Sequence, residues 1–188
     1  MPARFEILVA DVIEGIGARL RPGAVFYGQS FGALLAYEVA RALPDWLRPD
    51  LLVPACGAAP PDWFGSVRAC DDEAEELLRG CGLNELLPED DEIREFALGA
   101  IRADLAICRS YRHCPEPVPD FAIHALAGAD DLLLPPTALA RWAAATTGPF
   151  AVSVAAGGHL LAHPMSIGPA RELLELHAGR NAHAHRDR

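Results

Sequence analysis

Ala24-Val25-Phe26-Tyr27-Gly28-Gln29-Ser30-Phe31-Gly32-Ala33-Leu34-Leu35-Ala36-Tyr37-Glu38 joins a short apolar run to a run of helix formers through a serine with a glycine two places to either side. The apolar run 24–27 is bounded by glycines, as in a strand buried on both faces of a parallel sheet. From Ala33 to Leu43 the residues favour helix, and Pro44 ends it. Gly28-x-Ser30-x-Gly32 therefore falls at a strand-to-helix turn. A turn that presents a serine there is strained and brings neighbouring backbones close, so small residues two places either side are needed. The bare pattern is common by chance. Its context, directly after a strand and opening a long helix, makes Ser30 the candidate nucleophile.

Outward from this turn the chain alternates. Phe5, Leu8, Val9, Val12, Ile16 and Leu20 recur at helical spacing, predicting an amphipathic helix over about 4–20 that Arg21-Pro22-Gly23 stops. Further strands are predicted at 50–54, 121–126 and 150–154, with helices over about 136–146 and 166–178. From about 71 to 112 the pattern is helical, in at least two segments broken near Gly80-Cys81-Gly82 and Pro88. The acidic runs Asp71-Asp72-Glu73 and Glu89-Asp90-Asp91-Glu92 suit helix N-termini. The polar tail 180–188 reads as disordered. Strands alternating with helices imply a mostly parallel α/β sheet of about four strands, and the helical block is an insertion within it. The expected organisation is one domain over 1–179 with a helical lid at about 62–115.

Two further positions carry chemistry. Gly128-Ala129-Asp130-Asp131 follows the third strand, where an acid can fix the tautomer of a histidine and stabilise its imidazolium. Asp131 is the favoured acid, with Asp130 a solvated or helix-capping neighbour; the alternative is that both serve a turn before Pro135. Gly157-Gly158-His159 follows the fourth strand, and the two glycines let the loop fold tightly and aim the ring at Ser30. His163 is the runner-up, His124 lies inside a strand, His113 ends a helix, and His183 and His185 sit in the tail. The order Ser30, Asp131, His159 is that of an α/β-hydrolase, not of chymotrypsin-like or subtilisin-like enzymes.

Bulk properties narrow the classes. The 188 residues are 51% apolar and 22% charged, an ordinary globular mixture long enough for one substantial core. A net charge of -10 argues against a nucleic-acid partner, which needs a basic surface. Leu8-Val9-Ala10 runs straight into Asp11 and Glu14, so no signal peptide is read, and no stretch is long enough for a membrane span. The 5 cysteines are odd in number, scattered and lack a C-x-x-C pair, which favours free thiols in a reducing compartment and hence the cytoplasm.

The sequence resembles the type II thioesterases that accompany polyketide and nonribosomal peptide synthases. The resemblance runs from about 5 to 160. It rests on Phe26 to Glu38, on Leu78-Arg79-Gly80-Cys81-Gly82, on Ile101-Arg102-Ala103-Asp104 with Tyr111-Arg112, on Ala125 to Asp131, on Thr147-Gly148-Pro149-Phe150, and on Gly157-Gly158-His159. It implies an α/β-hydrolase fold, a triad of Ser30, Asp131 and His159, and an oxyanion contact from the Phe31 amide. It also implies an acyl or peptidyl carrier protein as partner, with a small acyl thioester as substrate. No cofactor of its own is implied, because the phosphopantetheine belongs to the carrier. Gln29 and Phe31 stand where the family usually has His and Met. Family members also begin with further strands and a glycine-rich loop that gives a second oxyanion amide. No such loop is read in 1–27, so the expectation is that the N-terminal strands are missing and an apolar strand edge is exposed. An inactive remnant, a non-catalytic acyl or carrier-protein binding module and a general carboxylesterase are the alternatives at this point.

Overall fold

Val25–Gln29 (β1), Leu51–Ala55 (β2), Ala122–Gly128 (β3) and Phe150–Ala155 (β4) lie side by side in chain order, every neighbouring pair parallel. The structure, a computed structural model, describes residues 4–63, 78–79 and 88–161. Helices Phe5–Gly17 (α1), Phe31–Ala42 (α2) and Asp91–Ser110 (α3) accompany the strands. All five residues of β2 are buried, as a central parallel strand requires, which is why 51–55 reads as an unbroken apolar run. The β2–β3 register skips Val53 and Pro54, and Pro54 has no N–H to give to a ladder.

Each face of the sheet carries its own core. On one face Tyr37 and Ala40 of α2 pack with Leu52, Ile123, Ala125, Leu139 and Trp142. On the other, Leu51, Val53, Ala55 and Leu126 meet Ala155 and Leu161. The helix expected over 136–146 is a 3₁₀ helix, Pro136–Ala145. Its buried residues Leu139, Trp142 and Ala145 are three apart. At three residues per turn such positions eclipse, so one straight apolar row lies on the sheet.

α1 stops at Gly17, short of the expected 20. Of the predicted lid, residues 64–77 and 80–87 lie outside the described residues, as do the helix expected at 166–178 and the tail. The C-terminal part of the lid is α3, and its acidic start is a working cap: Asp90 Oδ1 accepts from the amides of Glu92 and Ile93 at 3.0 Å each. The far end of α3 is tied to both other helices. Ser110 Oγ accepts from the Phe5 amide at 2.9 Å, and the Tyr111 hydroxyl donates to Glu38 of α2 at 2.7 Å. Phe5, Leu34, Trp63, Cys108 and Tyr111 fill the space between.

Among the described residues β1 is the sheet edge, and a groove of about 480 Å³ runs along it, lined by Val12 and Ile16 of α1, Val25, and Leu35 and Val39 of α2. No helix of the described residues is long and apolar enough to cross a membrane.

Candidate active site

Because the four strands are parallel, their C-terminal ends form one rim, and the residues that follow each strand meet there. Ser30 follows β1 and caps α2 with φ 52° and ψ −121°. A non-glycine residue in that region is strained by about 1–3 kcal/mol and persists only where its surroundings hold it. They do: the Ser30 amide donates to Ala55 O at 2.8 Å, and Ser30 O accepts from the Ala33 amide at 2.9 Å. The flanking glycines are not equivalent. A Cβ on Gly28 would lie 2.0 Å from Gly32 O, whereas one on Gly32 would meet nothing within 4 Å.

The other two predicted residues converge on Ser30. His159 Nε2 lies 2.9 Å from Ser30 Oγ, and His159 Nδ1 lies 2.9 Å from Asp131 Oδ2 and 3.1 Å from Oδ1. The network assigns the proton to Nδ1, which donates to the carboxylate, leaving Nε2 to accept from the serine hydroxyl. Of the two adjacent aspartates Asp131 faces the ring and is buried, while Asp130 is exposed and its amide donates to Gly157 O at 2.9 Å. The Asp131 carboxylate also accepts from the amides of Leu133 and Leu134 at 2.9 and 3.0 Å. Burial pushes its pKa up, but the hydrogen bonds from His159, Leu134 and Leu133 outweigh this and hold it below the ordinary carboxylate value. Phe31 is the first residue of α2, so its amide belongs to the helical turn whose N–H groups lack acceptors within the helix.

The loop that carries His159 is held by its glycines and by Gln29 and Cys56, two side chains with no role read from the sequence. Gly157 has φ 121°, a conformation that side chains rarely adopt, and a Cβ on Gly128 would sit 2.2 Å from Gly158 O. Gln29 Nε2 donates to the His159 carbonyl at 3.0 Å, and the Tyr27 hydroxyl donates to Gln29 Oε1 at 3.0 Å. Cys56, one strand over, is buried with φ 46°, and its Sγ lies 3.9 Å from Gly158 O. Burial and the neighbouring Asp131 carboxylate push the Cys56 thiol up to about 12, so it stays protonated at neutral pH. No sequence signal marks these two; the strand register brings them to the same rim, where Gln29 pairs with Ala55, the residue before Cys56.

Of the remaining histidines, His124 packs on the sheet with Nε2 2.7 Å from Ser153 Oγ, and His113 Nδ1 lies 3.3 Å from the Tyr111 hydroxyl. The ring that meets Ser30 Oγ is that of His159. His163, His183 and His185 lie outside the described residues. No group of three or more His, Cys, Asp or Glu that could hold a metal ion occurs among the described residues.

Comparison with known proteins bears on the fold and the family. The thioesterase domain family model matches residues 1–166. The chain is similar to thioesterase PikA5 of Streptomyces venezuelae, 36% identical over 141 residues that cover 71% of this chain and 50% of the relative. A probable cadicidin biosynthesis thioesterase of Streptomyces griseus is 34% identical over 139 residues, covering 72% of this chain and 38% of that protein. The chain thus spans about half or less of the length of these curated relatives. Among solved structures it is similar to BorB, a type II thioesterase from the borrelidin biosynthetic cluster, with 28% identity, a TM-score of 0.72, and coverage of 93% of this chain and 73% of that one. The RedJ thioesterase of the prodiginine pathway in Streptomyces coelicolor gives 28% identity and a TM-score of 0.74 over 93% of this chain and 67% of that one. The parallel sheet is that of the α/β-hydrolase fold these structures share, and the chain belongs to the thioesterase domain family.

Proposed function

We propose that this chain is a serine thioesterase that hydrolyses acyl groups from the phosphopantetheine arms of acyl or peptidyl carrier proteins in polyketide or nonribosomal peptide biosynthesis. The observation that carries this reading is the hydrogen-bonded line from Ser30 Oγ through His159 to Asp131, both gaps 2.9 Å, with the serine on a strained turn. The biosynthetic roles of its relatives support the carrier-bound substrate.

The chemistry takes two stages. Ser30 Oγ attacks the thioester carbonyl while His159 Nε2 takes its proton, and the C–S bond breaks as that proton passes to the departing pantetheine sulfur. Water then attacks the acyl-serine ester, giving a proton to His159, and the new C–O bond to Ser30 breaks as the proton returns to Oγ. Asp131 keeps the imidazole in the tautomer this requires and stabilises its charged form. The Phe31 amide donates to the developing oxyanion at the positive end of α2, an interaction type whose loss costs roughly 10²–10³ in turnover. The phosphopantetheine arm belongs to the partner. The same reading places the chain in the cytoplasm, in keeping with Cys56 and Cys114, whose thiols form no disulfide among the described residues.

The test is release of acyl groups from a loaded carrier, followed by the mass of the carrier, alongside fluorophosphonate labelling and p-nitrophenyl ester hydrolysis. Wild-type chain labels at Ser30 and favours the carrier thioester, and Ser30→Ala loses roughly 10³-fold or more. Folded protein that takes no label yet binds the carrier equally with and without Ser30 overturns the reading in favour of a binding module. A preference for simple esters overturns it in favour of a carboxylesterase.

A further inference from the structure

We infer that Gln29, oriented by Tyr27, is a positioning residue that ties the backbone of His159 to the strand carrying Ser30; this rests on the catalytic reading above. The distance that matters is the 2.9 Å between Ser30 Oγ and His159 Nε2, residues 129 apart in the chain. Their two segments are far apart in sequence, so contacts between them must fix one against the other.

The loop before His159 cannot restrain itself. Gly157 and Gly158 have no side chains to pack, and Gly157 holds φ 121°. Its carbonyls are instead taken one after another by neighbouring chain. Ala155 O accepts from the Ala129 amide at 2.8 Å, and Gly157 O accepts from the Asp130 amide at 2.9 Å. Gly158 O faces Cys56 Sγ at 3.9 Å. These anchors come from the loop after β3 and from the end of β2. The last one is different. His159 O accepts from Gln29 Nε2 at 3.0 Å, and Gln29 directly precedes Ser30. A single side chain therefore spans from the residue before the nucleophile to the main chain of the base.

Tyr27 decides which way the amide points. Residues two apart on a strand share a face, and the Tyr27 hydroxyl donates to Gln29 Oε1 at 3.0 Å. With the carbonyl end so occupied, the NH₂ end faces His159 O. Burial raises the Tyr27 pKa, so the phenol remains a donor across the working pH range. A hydrocarbon at position 29 could fill the same space but could not make either bond.

The experiment uses the full chain and fluorophosphonate labelling kinetics at Ser30, which separate probe binding (KI) from the chemical step (kinact). Gln29→Met keeps length and removes both bonds. It is expected to lower kinact about tenfold with KI unchanged, as one hydrogen bond's worth of positioning would. Tyr27→Phe lowers kinact about two- to threefold, and adds nothing once Gln29 is Met, because the phenol acts through the amide. A general structural role would move KI as well and would leave the two substitutions additive. Wild-type kinact in Gln29→Met, or independent effects at 27 and 29, overturns the inference. Hydrogen exchange of amides 157–161 provides a readout free of catalysis, expected to be faster in Gln29→Met. Absence of label in wild type refutes the catalytic reading, whereas unchanged exchange refutes the anchor.

Discussion

Adding one methyl group at Gly28 tests how closely the elbow is built. In Gly28→Ala the new Cβ would stand 2.0 Å from Gly32 O, 2.5 Å from Gly32 C and 2.8 Å from Ala33 N. Ordinary contact begins near 3.4 Å, so the first turn of α2 must retreat by about 1.4 Å or β1 must shift by as much. Neither moves freely. Gly28 pairs with Pro54 inside the sheet, and α2 is packed through Ala33, Leu34 and Tyr37, each 2% exposed or less. Overpacking of this kind costs about 1–3 kcal/mol, and a misplacement near 1 Å at a reacting atom costs about 10²-fold in rate. For a domain of this size the thermal midpoint should fall by a few to about 10 °C. Gly32→Ala is the matched control, since its Cβ meets nothing within 4 Å and alanine favours the helix by about 1 kcal/mol. The assay is differential scanning fluorimetry with fluorophosphonate labelling of Ser30. Gly28→Ala should lose about two orders of magnitude in labelling rate, while Gly32→Ala stays within a few-fold of wild type at an equal or higher midpoint. Equal losses in both variants, or a silent Gly28→Ala, would refute the reasoning.

Two other outcomes are expected. Asp131 has a folded pKa below its unfolded value of about 3.9, so its contribution to stability is fully present above that value and drains away as pH falls through the lower, folded one. Asp131→Asn should accordingly flatten the acid side of a urea-midpoint profile below about pH 4, and lower turnover by up to about 10⁴ through the wrong histidine tautomer; an unchanged acid limb would count against the assignment. Trp142 is fully buried, donates to Gly57 O at 2.8 Å and meets the Tyr37 ring edge-on at 5.6 Å. Trp142→Ala should cost about 3–5 kcal/mol in urea unfolding, and Trp142→Phe clearly less but still more than a surface change, because the Gly57 carbonyl loses its donor. Equal costs for the two would mean that volume at this position is irrelevant.

Much of the sheet could be read from the chain because its causes are local. Apolar runs of four to seven residues punctuated by glycine and proline mark 25–29, 51–55, 122–128 and 150–155, and the observed strands differ from the expected ones by a residue or two at their ends. The acidic run at 89–92 marks a helix start because capping is settled within one turn, and Asp90 does cap α3. The winding of 136–145 was not legible in this way. Helix formers there suit either an α-helix or a 3₁₀ helix, and the row of Leu139, Trp142 and Ala145 against the sheet accompanies the tighter one.

By itself, then, the sequence determined the parallel α/β class, the strand-to-helix turn around Ser30, and the chain order of serine, aspartate and histidine. Each follows from propensity, period and spacing, which act over a few residues. The sequence favoured Asp131 over Asp130, and the tertiary structure gave the physical reason: His159, 28 residues away, approaches Asp131. Tertiary structure alone separated Gly28, which faces backbone, from Gly32, which faces open space, although the motif writes them alike. Gln29, which stands where the family usually has His, became a link to the His159 backbone 130 residues on. Those distinctions depend on which atoms lie beside each other at the rim of the sheet, and no local pattern encodes that.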